Sequence, residues 1–226
     1  EAAGKAVEPG VTTAEIDRLA EEYIRRRGGE PNFKNYEGFP ATACISINNE
    51  VIHGIPDGAR KIKNGDIVSV DLGAVFEGYH GDNAATFAAG DVSAEAKRLM
   101  DTTRESLYEG IRAATNGGRI GDIGHAVQSY VEARGYSVVR QFVGHGVGTR
   151  LHEAPEVPNF GQKGHGIRLV PGMTIAIEPM VNAGGPAVQT LSNGWTVVTT
   201  DHSLSAHFEH TIAITPDGPV IMTVAD

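Results

Sequence analysis

Apolar residues recur over residues 12–28 with the spacing of a single helical face: Ile16, Leu19, Ala20, Tyr23 and Ile24. Thr12 followed three residues on by Glu15 is a capping-box start, and Gly28 is a stop. A second helical pattern starts at Ser93. It carries Ala96, Leu99, Met100, Thr103, Leu107 and Ile111 on its inner face and fails at Asn116-Gly117-Gly118. A third carries Ile123, Ala126, Val127, Tyr130 and Val131 and stops at Gly135. Between the first two helices, Asn64-Gly65 marks a turn, residues 67–72 read as a strand, and Phe76-Glu77-Gly78-Tyr79 reads as a hairpin turn. Residues 173–178, 195–200 and 207–214 are strand-like and separated by Gly, Pro and Asn turns. The opening residues 1–7 read as the tail of a helix that starts upstream, because the first residue is Glu and not Met.

These elements repeat. At an offset of 107 residues, Ile16, Tyr23, Arg27 and Gly28 fall on Ile123, Tyr130, Arg134 and Gly135. At the same offset Gly65-Asp66-Ile67-Val68-Ser69-Val70-Asp71 falls on Gly172-Met173-Thr174-Ile175-Ala176-Ile177-Glu178. Each half runs helix, irregular link, Gly, then a strand ending in an acid. The expectation is an α+β fold in which two similar halves form one pseudo-symmetric domain over residues 1–226.

Composition changes this picture little. The chain is 40% hydrophobic and 21% charged, as expected of a globular protein, and its net charge of −9 argues against a nucleic-acid footprint. The single cysteine, Cys44, leaves no partner for an intrachain disulfide and fits a reducing, cytoplasmic setting. No apolar run approaches the ~18 residues of a membrane span.

The acids carry the chemistry. Asp71 ends an apolar strand, where a lone carboxylate is costly. If Glu77-Gly78 is a two-residue turn, Gly73 lies opposite Asp82, and Asp71 and Asp82 become diagonal neighbours on one sheet face. Two like charges that close need a proton or a cation between them. Glu178 is the repeat-mate of Asp71, and Glu209 sits in Phe208-Glu209-His210-Thr211-Ile212. His145 lies in Phe142-Val143-Gly144-His145-Gly146-Val147-Gly148, where the flanking glycines keep the backbone tight. That stretch lacks the Lys-Ser/Thr ending of a phosphate-binding loop. Four carboxylates and one imidazole favour Mn, Fe, Co or Zn, suffice to hold two ions, and imply hydrolysis. His53 and His152 stand beside apolar residues and are further candidates. His80, His125, His165, His202, His207 and His210 take a structural or solvated reading.

The stretches Cys44-Ile45-Ser46-Ile47-Asn48, His53-Gly54-Ile55-Pro56, residues 71–82, Gly144-His145-Gly146-Val147-Gly148, Glu178-Pro179-Met180-Val181, Asn193-Gly194-Trp195-Thr196-Val197 and Glu209-His210-Thr211 resemble those of type I methionine aminopeptidases. The resemblance implies the pita-bread fold, with a curved antiparallel sheet flanked by helices. It implies five ligands for two divalent ions, Asp71, Asp82, His145, Glu178 and Glu209, with Asp82 and Glu209 bridging and a hydroxide between the metals attacking the first peptide carbonyl. Glu178 would handle the proton, His152 would contact the scissile amide, and His53 would assist near the leaving amine. Tyr36, Phe39, Cys44, Leu151 and Trp195 would line the methionine pocket, and a monovalent cation would bind near Asn48 and Ser205. The substrate would be the N-terminal Met of nascent polypeptides with a small second residue, handled at the ribosome by a monomer that binds neither nucleic acid nor membrane.

Two positions depart from the family pattern: Leu151 stands where Phe is usual, and Ala154 replaces an acid. Glu209 follows Glu178 by only 31 positions, too few for the type II helical insertion. Proline-specific peptidases of the same fold, metal-free binding modules and creatine-amidinohydrolase-like enzymes are the rival readings. The first usually carry an extra N-terminal domain, and the other two leave the acid cluster unexplained.

Overall fold

The computed structural model describes residues 2–224. Helix α1 spans Thr13–Arg26 and opens with the expected box: the Thr12 hydroxyl accepts from Glu15 N–H, and the Glu15 carboxylate accepts from Thr12 N–H at 2.8 Å. Ile16, Ala20 and Ile24 are buried, whereas Leu19 and Tyr23 lie at the edge of the stripe, each 37% exposed. The Arg27 guanidinium lies over the Tyr23 ring, 5.1 Å from its centroid. Helix α2 spans Ala94–Ala113, capped by the Ser93 hydroxyl, and α3 spans Ile120–Glu132. Ahead of α1, residues Gly4–Ala6 form a short 3-10 turn where the sequence suggested the end of a helix, and Glu1 lies outside the described residues. Among the described residues no helix is long and apolar enough to cross a membrane.

The strands form a curved antiparallel layer in four hydrogen-bonded pieces. Ile67–Phe76 and Tyr79–Ala88 make the expected hairpin, with Glu77 and Gly78 both in the left-handed region (φ 51° and 84°). Ile67–Phe76 also pairs with Ala43–Ile47, which is fully buried and lacks the alternation that would have marked it as a strand. The five-stranded piece runs Gly218–Ile221, His210–Thr215, Thr174–Ile177, Gly144–Gly146, Glu153–Val157.

The single strand expected over 207–214 is two strands, Ser205–His207 and His210–Thr215. At the break, Phe208 N–H donates to the Pro179 carbonyl (3.3 Å) and Glu209 N–H to the Ala84 carbonyl (2.8 Å). The facing strand breaks in step, as Thr174–Ile177 and Met180–Asn182 flank Glu178-Pro179. The expected strand over 195–200 shortens to Val197–Thr199, and Trp195 moves into the preceding Asn193 turn.

The helices flank this layer. Ile16 and Ala20 of α1 pack on Ala43, Ile45, Val68 and Val70. Leu107 and Ile111 of α2, with Ile120 and Ile123 of α3, pack on Ile175, Ile177 and Ile212. The repeat reaches the hydrogen bonds. Gly28 and Gly135 follow α1 and α3 at φ 80° and 81°, and Gly65 and Gly172 precede the equivalent strands at φ 93° and 94°. Ile62 exchanges backbone hydrogen bonds with Gly10 and Val11, and Leu169 does so with Gly117 and Gly118, all at the same offset. The pseudo-symmetry inferred from sequence is therefore an equivalence of backbone geometry.

That equivalence predicts a matched pair of costs. An L-residue in the left-handed region is disfavoured by roughly 1–2 kcal/mol. Gly28→Ala and Gly135→Ala should each lower unfolding free energy by about 1 kcal/mol, and the double variant by about the sum. Chemical denaturation measures this, and one substitution without effect would break the equivalence.

Candidate metal centre and active site

Asp71 and Asp82 project from the first hairpin in the expected register, Gly73 opposite Asp82 and Asp71 opposite Ala84. Glu178 and Glu209 occupy the two facing strand breaks, where their backbones are released from the ladder. His145 sits in Gly144–Gly146, a short strand outside the segments the sequence marks as strand-like. A Cβ at Gly144 would lie 2.2 Å from the Ala176 carbonyl oxygen, and one at Gly146 would lie 2.4 Å from that of Ala154. The glycines let this strand thread between close neighbours and deliver the imidazole inward.

All the ligand candidates line one cavity of about 150 Å³, together with His53, His152, Tyr36, Phe39, Cys44, Leu151 and Trp195. The structure thus brings together every residue expected to hold the divalent ions or meet the methionyl substrate, whereas Asn48 and Ser205 are not among the lining residues. Phe33 and Glu37 line it too and were missed, since neither lies in a stretch with metal or catalytic character. Ligand atoms of Asp82, His145 and Glu209 lie within 4.8 Å of one another. His145 Nε2 is 3.7 Å from Asp82 Oδ2 and 3.6 Å from Glu178 Oε1. His207, assigned a default role from sequence, is buried, with Nε2 3.9 Å from Glu178 Oε2.

Burial dominates the electrostatics. It raises the Asp71 carboxyl well above its ordinary value, with the Asp82 charge adding, and it pushes Asp82 up to about 7. Glu178 and Glu209 are likewise raised by burial, then by neighbouring carboxylates. Burial lowers His145 to about 4, so it is neutral at pH 7 and its approaches to carboxylates are not ion pairs. His145 Nδ1 lies 2.8 Å from the Gly146 carbonyl, which can only accept. The proton is therefore on Nδ1, and Nε2 presents a lone pair to the carboxylates.

Asp71 Oδ1, Asp82 Oδ1 and Glu209 Oε1 are buried without a hydrogen-bond partner among the described residues. Buried charges without partners are costly. Carboxylate oxygens with free lone pairs, joined by one unprotonated imidazole nitrogen, fit divalent cations.

Two hydroxyls hold the halves together at this centre. Thr211 Oγ1 accepts from Asp82 N–H (3.0 Å) and donates to the Asp82 carbonyl (2.8 Å). Thr86 Oγ1 does the same for His207, at 2.9 and 2.8 Å. Each half supplies a side chain that stands in for a missing ladder rung on the other. Ser205 N–H meets the Asn48 carbonyl at 2.8 Å, while the Asn48 side-chain oxygen accepts from Ile67 N–H.

A family profile described as Metallopeptidase family M24 matches residues 1–216. A methionine aminopeptidase of Clostridium acetobutylicum is 55% identical over 222 residues, covering 98% of this chain and 89% of that protein. Methionine aminopeptidase 1 of Bacillus subtilis is 52% identical, covering 97% and 88%. The crystal structure of a methionine aminopeptidase from Thermotoga maritima superposes with a TM-score of 0.97 at 45% identity, covering 99% of this chain and 90% of that one. The chain belongs to metallopeptidase family M24. With the donor set above, it is a metal-dependent aminopeptidase, a hydrolase, on the pita-bread fold.

The raised carboxyls set a pH dependence for the metal-free protein. A carboxyl whose folded pKa is raised stabilises the fold at low pH, and that contribution disappears as pH rises through the folded value. The histidines His145 and His53, lowered to about 4, and His207, lowered to about 3, act oppositely, but only below their ordinary 6.5. Above 6.5 the carboxyls act alone. Metal-free protein should therefore lose stability between pH 6.5 and about 8.5, about 1 kcal/mol of it from Asp82. Saturating divalent ion should flatten that slope. Thermal denaturation with and without chelator tests this, and equal slopes would count against the cluster as a cation site.

Thr211→Val keeps the side-chain shape but leaves the buried Asp82 N–H and carbonyl unpaired. It should cost about 2 kcal/mol or more, whereas Thr211→Ser should cost less than half as much. Denaturant titration of the two variants distinguishes a hydroxyl seam from simple packing.

Proposed function

We propose that this chain releases the N-terminal methionine from peptides and nascent polypeptides whose second residue is small. The observation that carries the reading is a buried, unpartnered carboxylate cluster opening directly into a small, largely apolar cavity. Asp71, Asp82, His145, Glu178 and Glu209 would hold two divalent ions of Co, Mn, Fe or Zn. Such ions, when bound, polarise a peptide carbonyl and bring the pKa of a water toward neutrality.

The chain's own groups select and orient. Tyr36, Phe39, Cys44, Leu151 and Trp195 provide the wall for the methionine side chain. Phe39 meets Trp195 edge-on at 5.2 Å, which stiffens that wall. Burial and nearby carboxylates push the Cys44 thiol up, so it lines the wall as a neutral thiol. Leu151 is smaller than the usual Phe and leaves more room at that point. The Glu178 carboxylate takes the proton from the attacking water and delivers it to the leaving amine. His152 donates a hydrogen bond to the carbonyl oxygen as negative charge develops there. His53, in a left-handed backbone (φ 58°) and packed edge-on by Phe142 and Trp195, would stand near the leaving amine.

Residues 1–226 act as one catalytic unit, a monomer working on nascent chains in the cytoplasm. A monovalent cation binds near Asn48 and Ser205, as the family resemblance implies.

Purified protein should cleave Met-Ala and Met-Gly peptides, lose this activity on chelation, and regain it with Mn²⁺, Co²⁺ or Fe²⁺. No activity with any of these metals would sink the reading, and a preference for Xaa-Pro peptides would favour a proline-specific enzyme. His152→Ala should retain metal stoichiometry but lose about a hundredfold or more in kcat. Loss of metal instead would make His152 a ligand.

A further inference from the structure

The loop that carries Tyr36 is built under strain. Asn35 and Glu37, on either side of it, are non-glycine residues in the left-handed region, at φ 68° and 49°. Such outliers persist only where the surroundings hold them, and they concentrate at functional sites. Here the loop closes on itself. Tyr36 N–H donates to the Phe33 carbonyl, Phe39 N–H to the Tyr36 carbonyl and Asn35 N–H to the Phe39 carbonyl, at 2.8–2.9 Å. The result is one fixed placement of the Tyr36 ring, 5.2 Å from the His152 ring, with its hydroxyl 2.8 Å from His152 Nδ1. On the other side, the His145 ring packs on His152 with centroids 4.2 Å apart. His152 is thus gripped from two directions.

We propose that Tyr36 is a positioning residue for His152, its hydroxyl donating to Nδ1 and so keeping the ring proton on Nε2, the nitrogen that serves the substrate carbonyl. The inference rests on the role given to His152 above and adds what sets its tautomer. A neutral imidazole has one donor and one acceptor nitrogen, and the partner of one decides the state of the other. If Nδ1 were the donor, Nε2 would offer the developing oxyanion a lone pair in place of a proton. Burial raises the Tyr36 phenol above its ordinary value, which keeps it a donor. His145 uses the same device inverted. Its Nδ1 donates to the Gly146 carbonyl, so its Nε2 is left bare for a cation. Two histidines in contact are therefore locked in opposite tautomers by opposite partners.

Tyr36→Phe keeps the ring and removes only the hydroxyl. In the metal-loaded enzyme it should lower kcat for Met-Ala-type peptides on the order of tenfold, the worth of one hydrogen bond, with KM changed less than about twofold. The same substitution in a His152→Ala background should cause no further loss. Nitrogen-15 NMR of the metal-free protein should find the His152 proton on Nε2, and a mixture of tautomers in Tyr36→Phe. Three results would overturn the proposal: a raised KM at unchanged kcat, an equal loss in the His152→Ala background, or a wild-type proton on Nδ1. If His152→Ala alone kept full turnover, the role assigned to His152 would fall, and with it the catalytic consequence of the contact. The NMR tautomer would still decide whether Tyr36 sets the ring state.

Discussion

Four carboxylates crowded into a buried space repel one another, and the surrounding architecture is organised around holding them there. Desolvation alone would drive them to take up protons. The fold holds them together by geometry all the same. Two acids are fixed by hairpin register, two are placed in strand breaks, and one imidazole is threaded between neighbouring backbones by glycines. Among the described residues no Lys or Arg lines the cavity to neutralise the cluster. The deficit is one that divalent cations fill, and membership of a metallopeptidase family agrees with it.

Part of this was legible in the sequence because it is local. The hairpin holding Asp71 and Asp82 follows from a two-residue turn and the period of a strand, and the observed register matches. The repeat was legible because both halves need a left-handed glycine at the same two points. The broken strand at Phe208-Glu209 was not legible. Its cause lies in remote acceptors, the Pro179 and Ala84 carbonyls, and a run of strand-forming residues carries no mark of them. The Gly144–Gly146 strand was hidden likewise, since a three-residue, glycine-flanked segment is extended only because Ala176 and Ala154 confine it.

The pocket was legible in a different way. Tyr36 and Phe39 share one loop, Leu151 and Trp195 come from two others, and no periodicity relates the three, so family resemblance alone gathered them beforehand. Phe33 and Glu37 carried no such mark. Their presence shows that the segment around Tyr36 forms a rim of the cavity, and the strain at Asn35 and Glu37 is a property of the folded backbone.

The paired threonine hydroxyls have a consequence for how such a centre comes into being. In small zinc domains the ion is the nucleus, and the chain is unfolded until it binds. Here Thr86 and Thr211 join the two halves without any ion, each satisfying both backbone groups of one residue across the seam. None of these four hydrogen bonds uses a carboxylate or imidazole of the donor set. The seam between the halves is thus independent of which ion the side chains hold.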